Sequence, residues 1–462
     1  MSELRNLGYD DLLNCFMVGP LVGLTPERAL SALEDVVRSP RGATLLRVRT
    51  RGRRWRRVDQ RTALAAAGRS VERVEAALDR SAVTTHVLER QFQPGELPVR
   101  LFVADGMLAM GFPHSLFDGT GATAVVNLVL EKLGAPGADT RAALPWAKTP
   151  LRAALKKFGL QGVAGIRSAR ETFRTLNAQT ETGYQLPRTL TKAESIERTR
   201  MVSMVLSADA VRAIANTPEK ADDGRRPARP PLSVKSASLV LRCLRDSLRE
   251  ETDFRVVVPV DARRWVAKGF AVEGNFAPSL PMGRLRVDDW SATALAERIS
   301  AVSKAGTPVA WLLATALSTL KNTVRHPVAA RRSRGVTPRV PLEIHVSLTT
   351  TEVAVSETLM PRVEDDTFVG GMAAHLRLPL GVWAEIAPVR GCLHVVVRDE
   401  TGLFDLEGFE QRLRAMIASA PEAGDGPVPR VGDVASSAAA DHPRRGARHV
   451  GSPTRPTVRS NA

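Results

Sequence analysis

Apolar and polar positions along this chain fall into two periods, close to 3.6 and close to 2, and the two interleave from the N-terminal region onward. Thr25-Pro26 precedes an apolar stripe at Leu30, Leu33 and Val37, so a capped helix with proline in its first turn is predicted over 26–38. Alternating residues on either side of Arg51-Gly52-Arg53 predict a hairpin over 44–58. Its seven arginines are expected largely on exposed positions, where they would keep an edge from pairing with other sheets. Met107 to Phe112 reads as a short apolar strand. Thr120 to Leu133 then carries helical spacing through Val125, Val126, Leu128, Val129 and Leu133, closed by Gly134.

Further strands are predicted at 255–260, 341–347, 367–372, 378–386 and 392–397. Further helices are predicted at 208–216, 234–249, 290–304, 309–324 and 406–417. No self-similarity with a period of 20 to 50 residues is present, so solenoids and propellers are excluded, and the mixture implies α/β layering, not repeated βαβ units. Residues 166–197 are polar and weakly periodic, which suits a crossover between two halves with a boundary near 185. The stretches 218–231 and 325–338 read as exposed loops. The expected organisation is 1–185, 186–420 and a tail, 421–462, too poor in large apolar residues to fold.

With 462 residues and 44% hydrophobic content, the chain can bury one large core or two ordinary ones. Cys15, Cys243 and Cys392 are too far apart for a paired zinc or disulfide pattern, and no metal is expected. The N-terminus lacks a basic region followed by an apolar one, and Pro308 to Leu320 is shorter than the roughly 20 residues that cross a bilayer. A cytoplasmic, non-spanning protein with a buried helix at that run is the expectation. The formal charge of +16 favours anionic partners, among them nucleic acid, an acidic carrier protein, a phosphorylated cofactor or an anionic membrane surface. Nucleic acid is disfavoured because Trp55 is the hairpin's only aromatic residue, where stacking platforms use several.

Chemistry concentrates at Pro113-His114-Ser115-Leu116-Phe117-Asp118-Gly119, between the predicted strand and helix. A neutral imidazole held in such a turn can take a proton from a hydroxyl or amine as it attacks a carbonyl. Asp118 has two structural readings: partner of a distant arginine, or cap of the helix that begins near Gly119. No G-x-S-x-G nucleophile elbow is present, and no cysteine has a catalytic partner nearby in sequence.

His114, Asp118 and Gly119 resemble the H-x-x-x-D-G motif of acyltransferases related to chloramphenicol acetyltransferase. That superfamily includes nonribosomal-peptide condensation domains, plant-type CoA-dependent acyltransferases, polyketide-associated acyltransferases and wax-ester-synthase-like enzymes. The resemblance extends loosely over about residues 8–418. Arg255 to Arg264 is similar to the strand that carries the arginine partner of the motif aspartate, a role that falls to Arg263, with Arg264 as the fallback. Glu273-Gly274-Asn275-Phe276 resembles the family's glycine and asparagine turn, making Asn275 a substrate-channel candidate. His345-Val346-Ser347-Leu348-Thr349 resembles the strand near the oxyanion, making Ser347 and Thr349 candidates there.

The resemblance implies a mixed α/β (α+β) fold of two chloramphenicol-acetyltransferase-like subdomains, a pseudo-dimer with an active-site channel between them. It implies direct acyl transfer with His114 as general base, Asp118 and Gly119 shaping the motif, and no tightly bound cofactor. Acyl-CoA or an acyl-phosphopantetheine would be the co-substrate, a small molecule the acceptor, and an acidic acyl or peptidyl carrier protein a partner. Pro113 stands where condensation domains carry a second histidine, and the plant-type aspartate-phenylalanine-glycine-tryptophan motif is absent. These departures point to a free-standing or divergent bacterial member. Two alternatives stay open: a wax-ester or acylglycerol synthase-like enzyme at a lipid surface, and a catalytically degenerate module that binds a carrier or partner.

Overall fold

A computed structural model describes residues 12–51, 55–74, 90–135, 150–159, 199–217, 230–249, 252–266, 276–314, 342–348, 352–364, 367–375 and 381–419, together with 83–84, 86–87, 167 and 171. In chain order its main elements begin with β1 (Leu12–Gly19), α1 (Pro26–Arg38), β2 (Arg47–Arg49), β3 (Trp55–Arg57), α2 (Gln60–Ala67) and β4 (Val71–Arg73). There follow β5 (Arg100–Ala104), β6 (Met107–Pro113), α3 (Gly119–Gly134), α4 (Pro150–Gly159), β7 (Arg200–Leu206), α5 (Ala208–Asn216) and α6 (Leu232–Asp246). The remainder is β8 (Arg255–Pro259), β9 (Ser279–Arg284), α7 (Ala292–Lys304), β10 (Glu343–Leu348), β11 (Phe368–His375), β12 (Gly381–Val389), β13 (Cys392–Asp399) and α8 (Leu406–Ala418).

Two sheets carry the fold. The first has the order β11-β1-β6-β5-β4 and the second β7-β13-β12-β10-β8-β9. Within the second, β8, β10 and β12 are parallel, with Glu343 opposite both Arg255 and Gly381. Parallel neighbours need long crossovers, and the one from β10 to β12 passes through the other sheet. There β11 pairs antiparallel with β1, from Leu12 opposite His375 to Gly19 opposite Phe368.

Alternation along the strands divides each sheet into a helix-side face and a face turned toward the other sheet. Phe16, Val18, Leu101, Val103, Leu108, Met110 and Phe112 join the apolar stripes of α1 and α3 in one core. Ile344, Val346, Val382, Ala384, Val395 and Val397 join the helices of the second half in another. Leu13, Cys15, Met17, Phe102 and Ala109 of the first sheet meet Val396 of the second in a third cluster, against which Met201 and Trp383 also pack. Burying both faces removes the alternation signal, which is why β1 and β5 are not legible as strands in the sequence.

Helix α1 begins as predicted, with Thr25 Oγ1 accepting from the Arg28 amide at 3.2 Å and Pro26 in the first turn. Its buried stripe is Ala29, Ala32, Leu33, Val36 and Val37, whereas Leu30 is half-buried. The hairpin is present as β2 paired with β3, Arg49 opposite Trp55. Arg47 departs from the exposed pattern: it is buried, and loss of solvent pulls its pKa down to about 10. The predicted helix over 309–324 is helical over 307–314, where Val309 and Leu312 pack with Trp265 and Phe276. Its remainder, nearly all of the 166–197 crossover with the boundary near 185, the 325–338 loop and the tail from 421 lie outside the described residues. Among the described residues, no helix is long and apolar enough to cross a membrane.

Candidate active site

Strand β6 ends at Pro113, which pairs with Leu13 of β1, and the chain then turns sharply. The amides of Leu116 and Phe117 both donate to the Pro113 carbonyl, at 3.0 and 3.1 Å. Asn14 of β1, itself buried, donates from Nδ2 to the Phe117 carbonyl at 2.8 Å. The Phe117 ring meets Phe112 edge-on, with centroids 5.6 Å apart. His114 therefore sits on a turn fastened at both ends and from the neighbouring strand.

Asp118 fills both of the roles its sequence context allows. It is the N-cap of α3, with Oδ1 accepting from the Gly121 amide at 2.9 Å. It also accepts from Arg263 Nη2 on both carboxylate oxygens, at 2.9 Å to Oδ1 and 2.8 Å to Oδ2, across 145 positions of sequence. A fourth bond comes from the Phe276 amide to Oδ2 at 2.9 Å. With 2% of its surface exposed, the carboxylate is a buried charge satisfied on every side.

Arg263 is aimed by its own segment. It opens a short 3-10 turn beyond β8, where Asp261 Oδ1 accepts from its amide at 2.8 Å and from Nη1 at 3.1 Å. Burial pulls the Arg263 pKa down, but Asp118 and Asp261 outweigh it and the net direction is upward. The guanidinium stays charged.

His114 is half-buried. Burial lowers its pKa below 6.5, against the opposing pull of a hydrogen bond to its own backbone and of the Asp118 charge, and His345 adds to the lowering. The net direction favours the neutral imidazole, the form a general base requires.

The facing wall comes from the second sheet. Because Ile344 and Val346 enter the helix-side core, Glu343, His345 and Ser347 of β10 lie on the opposite face. Strands β8 and β10 run in parallel, so Ser347 lies near the same sheet end from which the chain proceeds to Arg263. Ser347 is half-buried and stands opposite Glu385 of β12. Asn275 and Thr349 fall outside the described residues, and of Arg264 only the backbone is described.

His345 and Trp383 were not singled out by sequence reasoning. They are opposite one another on β10 and β12, and their rings stack at 5.2 Å with an interplanar angle of 16°. His345 Nε2 lies 2.9 Å from Glu343 Oε2, and Glu343 in turn binds Arg255. The signal available was the spacing of Glu343, His345 and Ser347 at every second position of a predicted strand, which puts three polar side chains on one face. Among the described residues, no cluster of histidine, cysteine and acidic side chains suits a metal ion.

No protein-family model matches the chain, and no curated protein matches it in sequence. Solved structures do match in fold. The nonribosomal peptide synthetase FmoA3 with AMPPNP bound aligns with a TM-score of 0.55 at 17% identity, over 93% of this chain and 43% of that one. The trichothecene 15-O-acetyltransferase TRI3 of Fusarium sporotrichioides aligns with a TM-score of 0.53 at 15% identity, over 90% of this chain and 93% of that one. The cyclization-docking bidomain of EpoB from Sorangium cellulosum aligns with a TM-score of 0.50 at 13% identity, over 90% of this chain and 80% of that one. The chain thus spans less than half the length of the FmoA3 synthetase and nearly the whole length of TRI3.

Proposed function

We propose that this chain, which has the α+β fold of condensation domains and chloramphenicol-acetyltransferase-like enzymes, is an acyltransferase. It moves an acyl group from a thioester of CoA or of a phosphopantetheine carrier to a hydroxyl or amine, in natural-product or lipid metabolism. The observation that carries the reading is His114 on a turn whose Asp118 is locked to Arg263 of the second sheet. That lock joins the turn bearing His114 to the segment beyond β8, which supports a site between the two sheets.

In this mechanism His114 takes the proton of the acceptor as its oxygen or nitrogen attacks the thioester carbonyl. The tetrahedral intermediate then collapses, the carbon–sulfur bond breaks, and the imidazolium returns the proton to the departing thiolate. An ester or amide forms and no acyl-enzyme is required. Ser347, near the sheet end that leads to Arg263, is the candidate donor toward the oxyanion. Asp118 and Arg263 hold the turn and do not touch the substrate.

The basic balance of the chain suits both donors, since CoA carries phosphates and carrier domains are acidic. The test is a screen of acyl-CoA and acyl-carrier donors against hydroxyl and amine acceptors, with products detected by mass spectrometry. Consumption of a donor with an equal yield of acylated acceptor, lost in His114→Ala, is the expected result. A purified, folded chain that consumes no donor in any pairing overturns the reading and leaves a binding module.

A further inference from the structure

Helix α3 is fastened to the second half of the molecule at two points. The first is Asp118 at its start, which binds Arg263 and the Phe276 amide. The second is Asn127, in the third turn. Its Nδ2 donates to the Glu352 carbonyl at 3.0 Å and its Oδ1 accepts from the Ala354 amide at 2.9 Å, so one side chain closes on both sides of Val353. The two points lie roughly 13 Å apart along the helix, at about 1.5 Å per residue.

The segment that Asn127 grips is itself tied to the second sheet. The Val353 amide donates to the Pro388 carbonyl of β12 at 2.9 Å, and Glu352 Oε1 accepts from the Gly391 amide, between β12 and β13, at 3.3 Å. Val353 is fully buried, and with Val355 and Leu359 it packs into the same core as Val125, Val126 and Val129 of α3. The contact stays close to the end of the helix, where a Cβ on Gly134 would come within 2.8 Å of Ser356 Oγ.

A rigid helix held at one point can pivot about it, and a second point removes that freedom. An asparagine amide suits the task because it carries a donor and an acceptor side by side, matching a backbone C=O and N–H two residues apart. Burial of α3 does not require it, since Asn127 is half-buried and stands apart from the helix's buried apolar stripe. His114 lies on the turn that leads into α3, so the tilt of the helix sets where the imidazole faces the second sheet.

We infer that Asn127 is a positioning residue for His114: by clamping α3 to the 352–354 segment it stops the helix pivoting about the Asp118–Arg263 pair and holds the base in place against the second sheet. It does not touch the substrate. The kinetic consequence rests on the acyl-transfer reading above, and the structural one does not.

The test compares Asn127→Ala, Asn127→Asp and Ala124→Gly. Ala124 is an exposed position of the same helix, where glycine weakens α3 without touching the second half. In protein labelled with 15N-histidine, the His114 ring resonances, identified by their loss in His114→Ala, are followed as pH is varied. Asn127→Ala is expected to displace them and to move the His114 midpoint upward toward 6.5, since a pivoting helix opens the turn to water while Asp118 and His345 remain. Asn127→Asp keeps the bond to the Ala354 amide and is expected to fall between Asn127→Ala and wild type. Ala124→Gly is expected to match wild type. With the donor found in the screen, Asn127→Ala is expected to lower kcat by about 10-fold or more and to change the donor KM by less than about threefold.

Folded Asn127→Ala with wild-type His114 resonances and midpoint overturns the inference. So does an equal displacement in Ala124→Gly, which would assign the effect to a weakened helix. If Asn127→Ala does not fold, Asn127→Asp decides: displaced His114 resonances support the clamp and wild-type ones overturn it. If the wild type transfers no acyl group at all, a His114 displacement in Asn127→Ala keeps the clamp while the acyltransferase reading falls, and absence of the displacement removes both.

Discussion

Arg263 Nη2 reaches both oxygens of Asp118, at 2.9 and 2.8 Å, from a turn 145 residues further along the chain. The same carboxylate caps α3 through the Gly121 amide and receives the Phe276 amide. One side chain thus fixes the start of a helix, the turn bearing His114 and the segment beyond β8. The two ends of the site are held at a single point.

Removing one partner of this buried pair leaves Asp118 with only its two amide donors, or Arg263 with only Asp261. Arg263→Ala and Asp118→Ala are each expected to lower stability by about 3–5 kcal/mol. The double variant is expected to cost less than their sum, read as a coupling energy in a denaturant-unfolding cycle. Full additivity would mean that the two side chains act independently.

His114→Ala is expected to leave the fold intact and to lower acyl transfer by about 10² to 10⁴. Circular dichroism and thermal unfolding check the first half, and single-turnover kinetics with the identified donor check the second. A variant with wild-type turnover would remove His114 from the mechanism.

Because burial lowers the His114 pKa, the base is still deprotonated at pH values where an ordinary histidine is half protonated. The acid limb of kcat/KM is therefore expected below pH 6.5, and it reports the free enzyme. A midpoint above 6.5 would contradict the burial of the ring.

His345 makes stability pH-dependent with a definite sign. Its pKa is about 4 in the folded chain against an ordinary value of 6.5, so the unfolded state binds the extra proton first. The stability present above pH 6.5 is expected to fall as pH drops from 6.5 to 4 and then level off, by about 3 kcal/mol in all. Arg255, Glu343, Glu400 and His114 are the charged or titratable groups that surround or influence it. Urea unfolding across this range, compared between wild type and His345→Phe, is expected to show a shallower decline in the variant.

Gly381→Ala is expected to cost about 1–3 kcal/mol, because φ +98° is strained for an L side chain and the added Cβ would run into the Glu343 backbone. If the displaced Glu343 also loosens His345, the histidine's 15N resonances will change in the folded variant. Unchanged resonances would confine the effect to the β12 backbone.

The sequence by itself determined the local elements around His114. An apolar strand, a turn and a helix with the right spacing are written within about 30 residues, and cap chemistry at Thr25 and Asp118 depends only on near neighbours. It also put His114 at the strand end, and the resemblance it carried named Arg263 as the partner that now binds Asp118. What it could not decide was which strands share a sheet. The pairing of β11 with β1, from Leu12 opposite His375 to Gly19 opposite Phe368, joins positions about 350 residues apart, and local periodicity holds no record of it. Asp118 looked like a cap or an arginine partner, and only the meeting of the two sheets made it both. His345 looked like one residue of a strand, since its stacking on Trp383 and the burial of its ring exist only once β8, β10 and β12 lie side by side.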